Sequence, residues 1–537
     1  MDILLSKMMT FKLFSRRLRY LPGGINSAKT YANSEVCPIE HRSETQELPW
    51  EHARPFAEIP GPKSITIIGN MMRFMPYIGE YGNMPLSEQM ATLCNQYGDI
   101  VKLDGILGKR PAVFLYDPEQ CKKMYRIEGI WPMRIAIETM KYYRERNPEI
   151  FKGKMGLVTS QGKVWHDFRK NVNQHMMQPR TIKPHVTQVD QVANDFIKRI
   201  RKLRDVKTLK LPSTFNNEMN KWALESICVI ALDQRIGCLD SALPSNSEPQ
   251  QLINSVHEMF ELFYKLEVSP SLWRLYDTRT LKKLFKTLDT INQIAKKHID
   301  QAKIRFEKFP KNNADERCVL ESLLNIDEQT AYIMAIDMLT AGIDTTSNAA
   351  GSLLYYISIN PRVQEKLREE VYSVLPEKTS SITFDILNKI PYLKACIKET
   401  LRLAPIAIGN LRTMQTDTVL GGYQIPKGTD VIASHSVIAQ NPKYFSRPND
   451  FIPERWLKNN TIIKPAKEAH SFAYMPFGFG PRTCIGRRFA ELEMETLVLR
   501  MIRNFHLEWP NKNPMEFQSR FINTLKSPLE LKVIDIQ

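Results

Sequence analysis

Several common patterns are missing from this chain of 537 residues. Its eight cysteines are scattered without a single Cys-x-x-Cys pair, which argues against a zinc ribbon and against a disulfide-stapled secreted scaffold. No segment has the roughly 20 consecutive apolar residues that span a bilayer. The formal net charge is +16, yet there is no nucleic-acid motif and no long run of lysine and arginine. The excess charge therefore favours an anionic membrane or an acidic protein partner over nucleic acid.

Acidic residues are also scarce at the N-terminus, where residues 1–34 hold six basic residues and one acidic residue. Wound as a helix, residues 1–20 place their apolar side chains on one side and Lys12, Arg16 and Arg19 away from it. This composition is typical of a mitochondrial transit peptide, which we predict over residues 1–34; a disordered basic tail is the alternative. Residues 35–58 are polar and predict a linker.

The remaining residues, 59–537, predict one large domain that begins at the stiff IPGP turn (59–62). Strand-like runs occur at Ala112–Tyr116, Thr418–Gln424 and Asp430–Ser434. Between residues 160 and 359 the pattern is mainly helical, and Asp327 and Asn360-Pro361 are expected to bound a helix of roughly 32 residues, about 48 Å long. The predicted fold class is mainly α with a smaller β part.

One cysteine, Cys484, stands apart because glycines and arginines surround it in the segment PFGFGPRTCIGRRFAELEMETL (476–497). It has no companions at the spacing of zinc ligands. A buried structural thiol is possible, since most lone cysteines are of that kind. A haem ligand explains more: glycines let the backbone approach a flat macrocycle, and Arg482 and a following helix N-terminus favour a thiolate.

The pattern Phe477-Gly478-x-Gly480-x-Arg482-x-Cys484-x-Gly486 resembles the haem-binding signature of the cytochrome P450 family. The resemblance covers roughly residues 59–537 and implies the cytochrome P450 fold, a single domain enclosing haem b. It also implies that Cys484 is the axial ligand of the haem iron.

Two further motifs agree with this resemblance. Glu399 and Arg402 lie three residues apart on one helix face, and the resemblance implies that Arg455 of FIPERW joins them in a buried structural triad. Asp344 and Thr345 lie in AGIDTT (341–346), where Gly, Asp and Thr are poor residues for a helix interior. They could be tolerated polar residues on an outer face. The resemblance instead implies a local distortion of the helix and a catalytic acid–alcohol pair that delivers protons for oxygen activation.

Haem brings two carboxylates into a low-dielectric pocket, for which arginines are the expected counterions. By resemblance, the cofactor-binding residues are Cys484, Trp165, Arg169, Arg412, Arg482 and Phe477.

A basic surface connects the chain with the mitochondrial branch of the family. A solvated basic face would be the ordinary interpretation of these residues. The resemblance implies that they dock an acidic 2Fe–2S ferredoxin, itself reduced by an NADPH-dependent reductase, at the matrix side of the inner membrane. The expected partner-binding residues are Lys394, Lys398, Arg487 and Arg488.

The segments IEGIWPMR (127–134), GLVTSQGKVW and MQPRTIKP resemble insect mitochondrial members of the detoxification type. This implies a monooxygenase that inserts one oxygen atom into a lipophilic foreign compound. A steroid hydroxylase of hormone synthesis, a haem-thiolate isomerase or peroxide-consuming enzyme, and a non-catalytic haem carrier are the alternatives. The resemblance places substrate-lining residues at Trp131–Met140, Ala404–Gly409 and Phe521–Thr524, with Arg134, Glu138 and Asn523 as possible orienting groups.

Overall fold

The computed structural model describes residues 48–65, 68–105, 109–240, 243–311, 313 and 317–536. The α-helices in chain order are α1 (Leu86–Tyr97), α2 (Pro118–Ile127), α3 (Glu138–Glu145), α4 (Pro148–Phe151), α5 (Gly156–Thr159), α6 (Gly162–Met176), α7 (Val186–Leu203), α8 (Phe215–Leu232), α9 (Glu248–Phe263), α10 (Arg279–Lys308), α11 (Val319–Leu324), α12 (Glu328–Ser358), α13 (Pro361–Val374), α14 (Phe384–Leu387), α15 (Pro391–Leu403), α16 (His435–Ile438) and α17 (Arg487–Asn504). The strands are β1 (Ile100–Leu103), β2 (Ala112–Leu115), β3 (Asn410–Thr413), β4 (Thr418–Leu420), β5 (Tyr423–Ile425), β6 (Asp430–Ala433), β7 (Phe505–Glu508), β8 (Phe517–Ser519), β9 (Asn523–Leu525) and β10 (Lys532–Asp535). The prediction of a mainly α fold with a smaller β part is confirmed.

The long helix α12 has 31 residues and begins where the sequence predicts, because the Asp327 side chain accepts a hydrogen bond from the backbone N–H of Thr330. It ends at Ser358, and Pro361 opens the next helix. Buried residues occur all around α12, which packs against α8, α15 and α17 within the main helical core. A helix with most of its surface buried holds its polar residues at fixed positions in the interior. No helix in the described ranges has both the length and the apolar character needed to cross a bilayer.

A mixed four-stranded sheet in the order β1-β2-β6-β3 packs beside the helices. The β2–β6 pair is parallel and the other two pairs are antiparallel, which sets Arg412 opposite Val431 on the β3–β6 ladder. The prediction of one strand over Thr418–Gln424 is wrong. Gly421 and Gly422 have φ of 58° and 81°, so the chain turns there into the antiparallel β4–β5 hairpin.

The segment 48–58 packs on this hairpin, although the sequence analysis assigns it to a linker. Arg54 donates its backbone N–H to the Gly422 carbonyl at 3.0 Å and accepts from Gln424 N at 2.8 Å. Its guanidinium lies 3.9 Å from the centre of the Tyr423 ring. These contacts explain why the folded part begins before residue 59. The predicted transit peptide and linker residues 35–47 lie outside the described residues.

The expected triad residues lie together in the interior. Glu399 accepts from Arg402 Nη2 at 2.8 Å and from Arg455 Nε at 2.9 Å, and all three side chains have no accessible surface. The indole N–H of Trp456 donates to the same carboxylate at 2.9 Å, a contact that the sequence did not indicate. The remaining guanidinium hydrogens bond backbone carbonyls, including those of residues 439, 446 and 448. This network ties α15 to the segment that carries Arg455.

We expect Glu399→Gln to lower the free energy of unfolding by about 3–5 kcal/mol, because it leaves two buried guanidinium groups without a carboxylate. Urea unfolding of the haem-loaded protein, followed by circular dichroism, measures this change. The matched control is Arg447→Ala, which breaks the exposed Arg447–Asp450 pair and should cost about 1 kcal/mol or less. Equal destabilisation by the two substitutions would contradict the assignment of the triad as a structural anchor.

Candidate active site

Cys484 lies in a loop between a 3-10 turn at Gly480–Arg482 and the start of α17. Its backbone N–H donates to the Phe477 carbonyl at 2.8 Å, which closes the loop on itself. Gly478 and Gly480 each have φ of 73°, and a side chain on Gly480 would collide with the Glu128 carboxylate. Cys484 is exposed, whereas the other described cysteines are buried or half-buried. The loop therefore presents its sulfur rather than packing it away.

Opposing effects act on this thiol. Although Cys484 has accessible surface, burial of the sulfur among the surrounding protein atoms raises its pKa above the ordinary value, while the Gly486 backbone N–H and the charges of Arg169, Arg134 and Arg487 lower it. Burial is the larger effect, so the protein alone favours the neutral thiol. A cation placed directly on the sulfur, such as an iron ion, would be needed to hold the thiolate.

Four arginines collect near Cys484, although they come from four separate segments. Arg482 ends the 3-10 turn, Arg412 lies on β3, Arg169 on α6 and Arg134 in the segment before α3. Arg412 pairs with the buried Glu128. Burial and the neighbouring positive charges lower the pKa of Arg134 to about 10, and burial lowers that of Arg169 to about 10. The cluster thus carries more positive charge than the carboxylate facing it can neutralise.

Hydrogen bonds fix the arginines but leave some of their donors unused. Arg482 donates to the carbonyls of Pro132 and Ser160 and to Gln161 Oε1, each at 2.9 Å. Arg169 donates to the Thr483 carbonyl at 3.0 Å. Two enclosed donors, Arg482 Nη1 and Arg134 Nε, have no hydrogen-bond partner within the part of the chain that the structure describes. Unused donors on cationic groups point to an anionic ligand.

The two aromatic residues of the expected cofactor set each contact an arginine of this region. The guanidinium of Arg482 lies 4.2 Å from the centre of the Trp165 ring, and that of Arg487 lies 5.2 Å from the centre of the Phe477 ring. Trp165 is buried on α6, one turn before Arg169. All six expected cofactor-binding residues therefore gather around the Cys484 loop.

The expected acid–alcohol pair lies within α12, which runs unbroken through Ala341–Thr346. The predicted distortion is not a break in the helix. Instead, the Thr345 hydroxyl donates to the Ala341 carbonyl at 2.5 Å, as threonines in buried helices often do. Ala341 is exposed and Thr345 half-exposed although they lie in the core, while Asp344 is buried with 1% of its surface accessible. The two members of the pair point in different directions.

A cavity of about 500 Å³ brings the three expected substrate segments together. Its wall is mainly apolar and includes Ala407, Ile408 and Phe521, with Arg134 and Glu138 as polar groups. Asn523, predicted as an orienting group, does not line it. The side-chain oxygen of Asn523 accepts from the Ser519 hydroxyl at 2.9 Å, and its backbone N–H donates to the Ile406 carbonyl. Both groups of Asn523 are therefore engaged within the protein.

A second depression of about 500 Å³ lies beside the Cys484 loop, lined by residues 474–479 of that loop. Lys394, Lys398 and Arg487 also line it, so three of the four expected partner-binding residues meet there. The fourth, Arg488, is not in this lining, and its Nε donates to the Met177 carbonyl at 2.5 Å. Lys398 is exposed, with its ammonium 5.9 Å from the Trp456 ring centre.

Comparison with known proteins decides the family. A family model described as cytochrome P450 matches residues 59–533. The chain belongs to the cytochrome P450 family. It is 40% identical over 503 residues to "Probable cytochrome P450 12b2, mitochondrial" from Drosophila melanogaster, covering 93% of this chain and 92% of that protein. It is 38% identical over 500 residues to "Cytochrome P450 CYP12A2" from Musca domestica, covering 91% and 92%.

Among solved structures, the chain resembles "Crystal structure of cytochrome P450DA heme domain" with a TM-score of 0.71 at 19% identity, covering 90% of this chain and 98% of that one. At this identity the match shows the cytochrome P450 fold. The expected family, fold and mitochondrial insect relatives are confirmed. As a cytochrome P450, the chain is a haem-thiolate monooxygenase.

The residues around Cys484 fit a haem group. Two haem carboxylates would offset the excess of positive charge from the four arginines and accept from the unused donors of Arg134 and Arg482. A Cβ built on Gly486 meets no protein atom within 4 Å, so this side of the loop leaves room for a flat group.

The sequence predicts that Arg134 orients substrate, and it gives no indication of the roles of Gln161 and Glu128. Gln161 precedes α6 and clamps the Arg134 backbone by two hydrogen bonds of 2.8 and 2.7 Å while also accepting from Arg482. Glu128 is the carboxylate that holds Arg412. No local signal marks these residues, because their roles depend on segments far apart in the chain.

We expect Arg134→Gln to speed the transfer of haem to apomyoglobin about tenfold, since one charge-assisted hydrogen bond to a haem carboxylate is lost. The control Arg126→Gln changes an exposed arginine in the last turn of α2 and should leave the rate unchanged. Equal transfer rates for wild type and Arg134→Gln would return Arg134 to a role in substrate binding alone.

Proposed function

We propose that this cytochrome P450 is a mitochondrial monooxygenase of lipophilic foreign compounds, with Cys484 as its axial thiolate and a 2Fe–2S ferredoxin as its electron donor. The observation that carries the proposal is the exposed sulfur of Cys484 beside an under-neutralised arginine cluster. Trp165, Arg169, Arg412, Arg482 and Phe477 then hold the haem, together with Arg134. The bound haem supplies the activation of dioxygen.

The protein contributes proton control in this proposal. Asp344 carries protons towards the reaction from within α12, and Thr345 presents its hydroxyl on the half-exposed side of the helix. Because the hydroxyl donates to the Ala341 carbonyl, its oxygen lone pairs remain available to accept from water or substrate. A haem-thiolate isomerase or a peroxide-consuming enzyme has no use for such a pair, which favours the monooxygenase over these alternatives.

The depression is lined by Lys394, Lys398 and Arg487 and also by Glu491 and Glu495, which pair with Arg487 and Lys394. The exposed charge of Lys398 is therefore the feature of this surface that supports an acidic protein partner. The depression includes residues of the Cys484 loop, so a small electron carrier docked there would lie close to the residue that would ligate the haem iron. Opposite charges would steer a short-lived encounter, as electron transfer between proteins requires. A ferredoxin reduced by its NADPH-dependent reductase has the required acidic chemistry.

Mitochondrial relatives and the basic N-terminal composition support location in the mitochondrion.

Peripheral attachment to the matrix face of the inner membrane is supported by exposed apolar residues in two segments. These are Tyr77 and Ile78 in one segment and Leu272, Leu275 and Tyr276 in the other. Phe74 and Pro270 from these segments border the 500 Å³ cavity. A lipophilic substrate could therefore enter the cavity from the membrane surface.

We expect Lys398→Glu to raise the KM for ferredoxin about tenfold at low salt, because it reverses a charge at the docking surface. The difference should shrink as salt screens the encounter. Steady-state reduction with purified ferredoxin and its reductase measures the effect. Lys207→Glu, at an exposed lysine outside the depression, is the control. A salt-independent change, or equal changes in both variants, would count against docking at this surface.

Substrate class is tested by titrating the haem-loaded protein without residues 1–34 with plant terpenoids, synthetic insecticides and ecdysteroid precursors, following the haem spin state. We expect weak responses to many unrelated lipophiles, since the cavity wall is mainly apolar. A tight response to one steroid and none to the other compounds would instead indicate the hydroxylase of hormone synthesis.

A further inference from the structure

A histidine on another helix faces the buried carboxylate of Asp344. His257 Nδ1 lies 3.5 Å from Asp344 Oδ2, at the outer limit of a hydrogen bond. The two side chains differ sharply in exposure, with 62% of His257 and 2% of Asp344 accessible. Both Asp344 carboxylate oxygens otherwise lack hydrogen-bond partners within the described parts of the chain. An exposed titratable ring thus adjoins a buried carboxylate that nothing else neutralises.

The local structure sets this contact. His257 lies on α9, and Glu261 follows one turn later on the same face. Glu261 pairs with Arg520 from the turn between β8 and β9. The charged groups that face the His257 ring are therefore Asp344 from α12 and Arg520 from the hairpin, with Glu261 engaged by Arg520. Asp344 is the anion next to the ring.

We propose that His257 is the positioning and proton-supply residue for Asp344, connecting this buried carboxylate with solvent. The inference rests on the proposed role of Asp344 in proton delivery. In the transfer step the Nδ1–H bond of the imidazolium breaks and its electron pair stays on nitrogen. An O–H bond forms on Asp344 Oδ2, which leaves neutral imidazole and a neutral carboxylic acid. Water or buffer returns the proton to the exposed ring, and no electron moves.

Electrostatics agree with this geometry. The neighbouring Asp344 carboxylate raises the pKa of His257 above its ordinary value, against the opposing effects of burial and Arg520. The imidazolium is then the donor below this raised pKa, and the donor is lost as the pH rises through it. Proton supply should therefore be full at acidic to neutral pH and fall on the alkaline side.

The other carboxyl group next to this part of α12 is a poorer source. Glu493 on α17 contacts Thr346, but only 1% of its surface is accessible and burial raises its pKa well above the ordinary value. The raised pKa favours the protonated form of Glu493, which has no comparable exposure through which to exchange a proton with solvent. The exposed position of His257 distinguishes it as the residue able to exchange protons with solvent.

The test variant is His257→Asn, which keeps an N–H donor near the Nδ1 position but cannot carry a proton. The matched control is His52→Asn, a change at an exposed histidine in the Trp50–His52 turn. Asp344→Asn reports separately on the proposed function. Turnover is measured against pH with saturating ferredoxin and substrate, together with substrate affinity from the haem spin state. We expect His257→Asn to lower turnover about tenfold, to lose the alkaline limb of the profile and to keep substrate affinity within about twofold.

A second measurement does not depend on turnover, and its main readout comes from the wild type. Ring-labelled histidine NMR of the haem-loaded wild type should show one histidine titrating above the ordinary range, missing in His257→Asn and shifted to lower pH in Asp344→Asn. If His257→Asn kept the wild-type turnover and pH profile while Asp344→Asn lowered turnover, the inference would be overturned but the proposed role of Asp344 would stand. Unchanged turnover in both would overturn that role as well. A loss of substrate affinity at unchanged maximal turnover, or an ordinary His257 pKa in the wild type, would also overturn the inference.

Discussion

The site depends on one electrostatic constraint, the concentration of positive charge in a poorly solvated interior. Arg134, Arg169, Arg412 and Arg482 come from four segments, and Glu128 neutralises Arg412. Burial lowers the pKa of Arg134, Arg169 and Arg482, which shows how unfavourable their charge is there without anions. The two carboxylates of a bound haem would offset this positive charge, and its iron would stabilise the Cys484 thiolate, which the protein alone does not favour. Cofactor and protein are therefore complementary in charge.

Rigid elements around the site keep its parts in place. The Glu399 network joins α15 to the segment of Arg455 and Trp456 with no accessible surface on the three charged side chains. The buried helix α12 carries Asp344 and Thr345 on different sides, so one faces His257 while the other faces away. In the proposed function, Asp344 and Thr345 would thus act from two sides of one helix.

Sequence could predict whatever rests on local signals. Asp327 and Pro361 bound the 31-residue helix because capping and proline chemistry act within a few residues. The glycine spacing around Cys484 identified the loop for the same reason. Local signals gave a wrong prediction at Thr418–Gln424. Its β-branched and aromatic residues favour a single strand, but Gly421 and Gly422 form a turn that divides it into two. Arg134, Gln161, Glu128 and His257 could not be assigned, because their partners lie tens to hundreds of residues away and only the fold brings them together.

The central claim, that haem carboxylates neutralise the arginine cluster, can be tested by comparing two cofactors. The chain is reconstituted with haem and with its dimethyl ester, which keeps iron and macrocycle but removes both negative charges, and the thermal unfolding midpoint is measured for each. The account predicts a lower midpoint and at least about tenfold weaker binding for the ester, because the donors of Arg134 and Arg482 then face no anion. Equal midpoints and equal affinities for the two cofactors would contradict it.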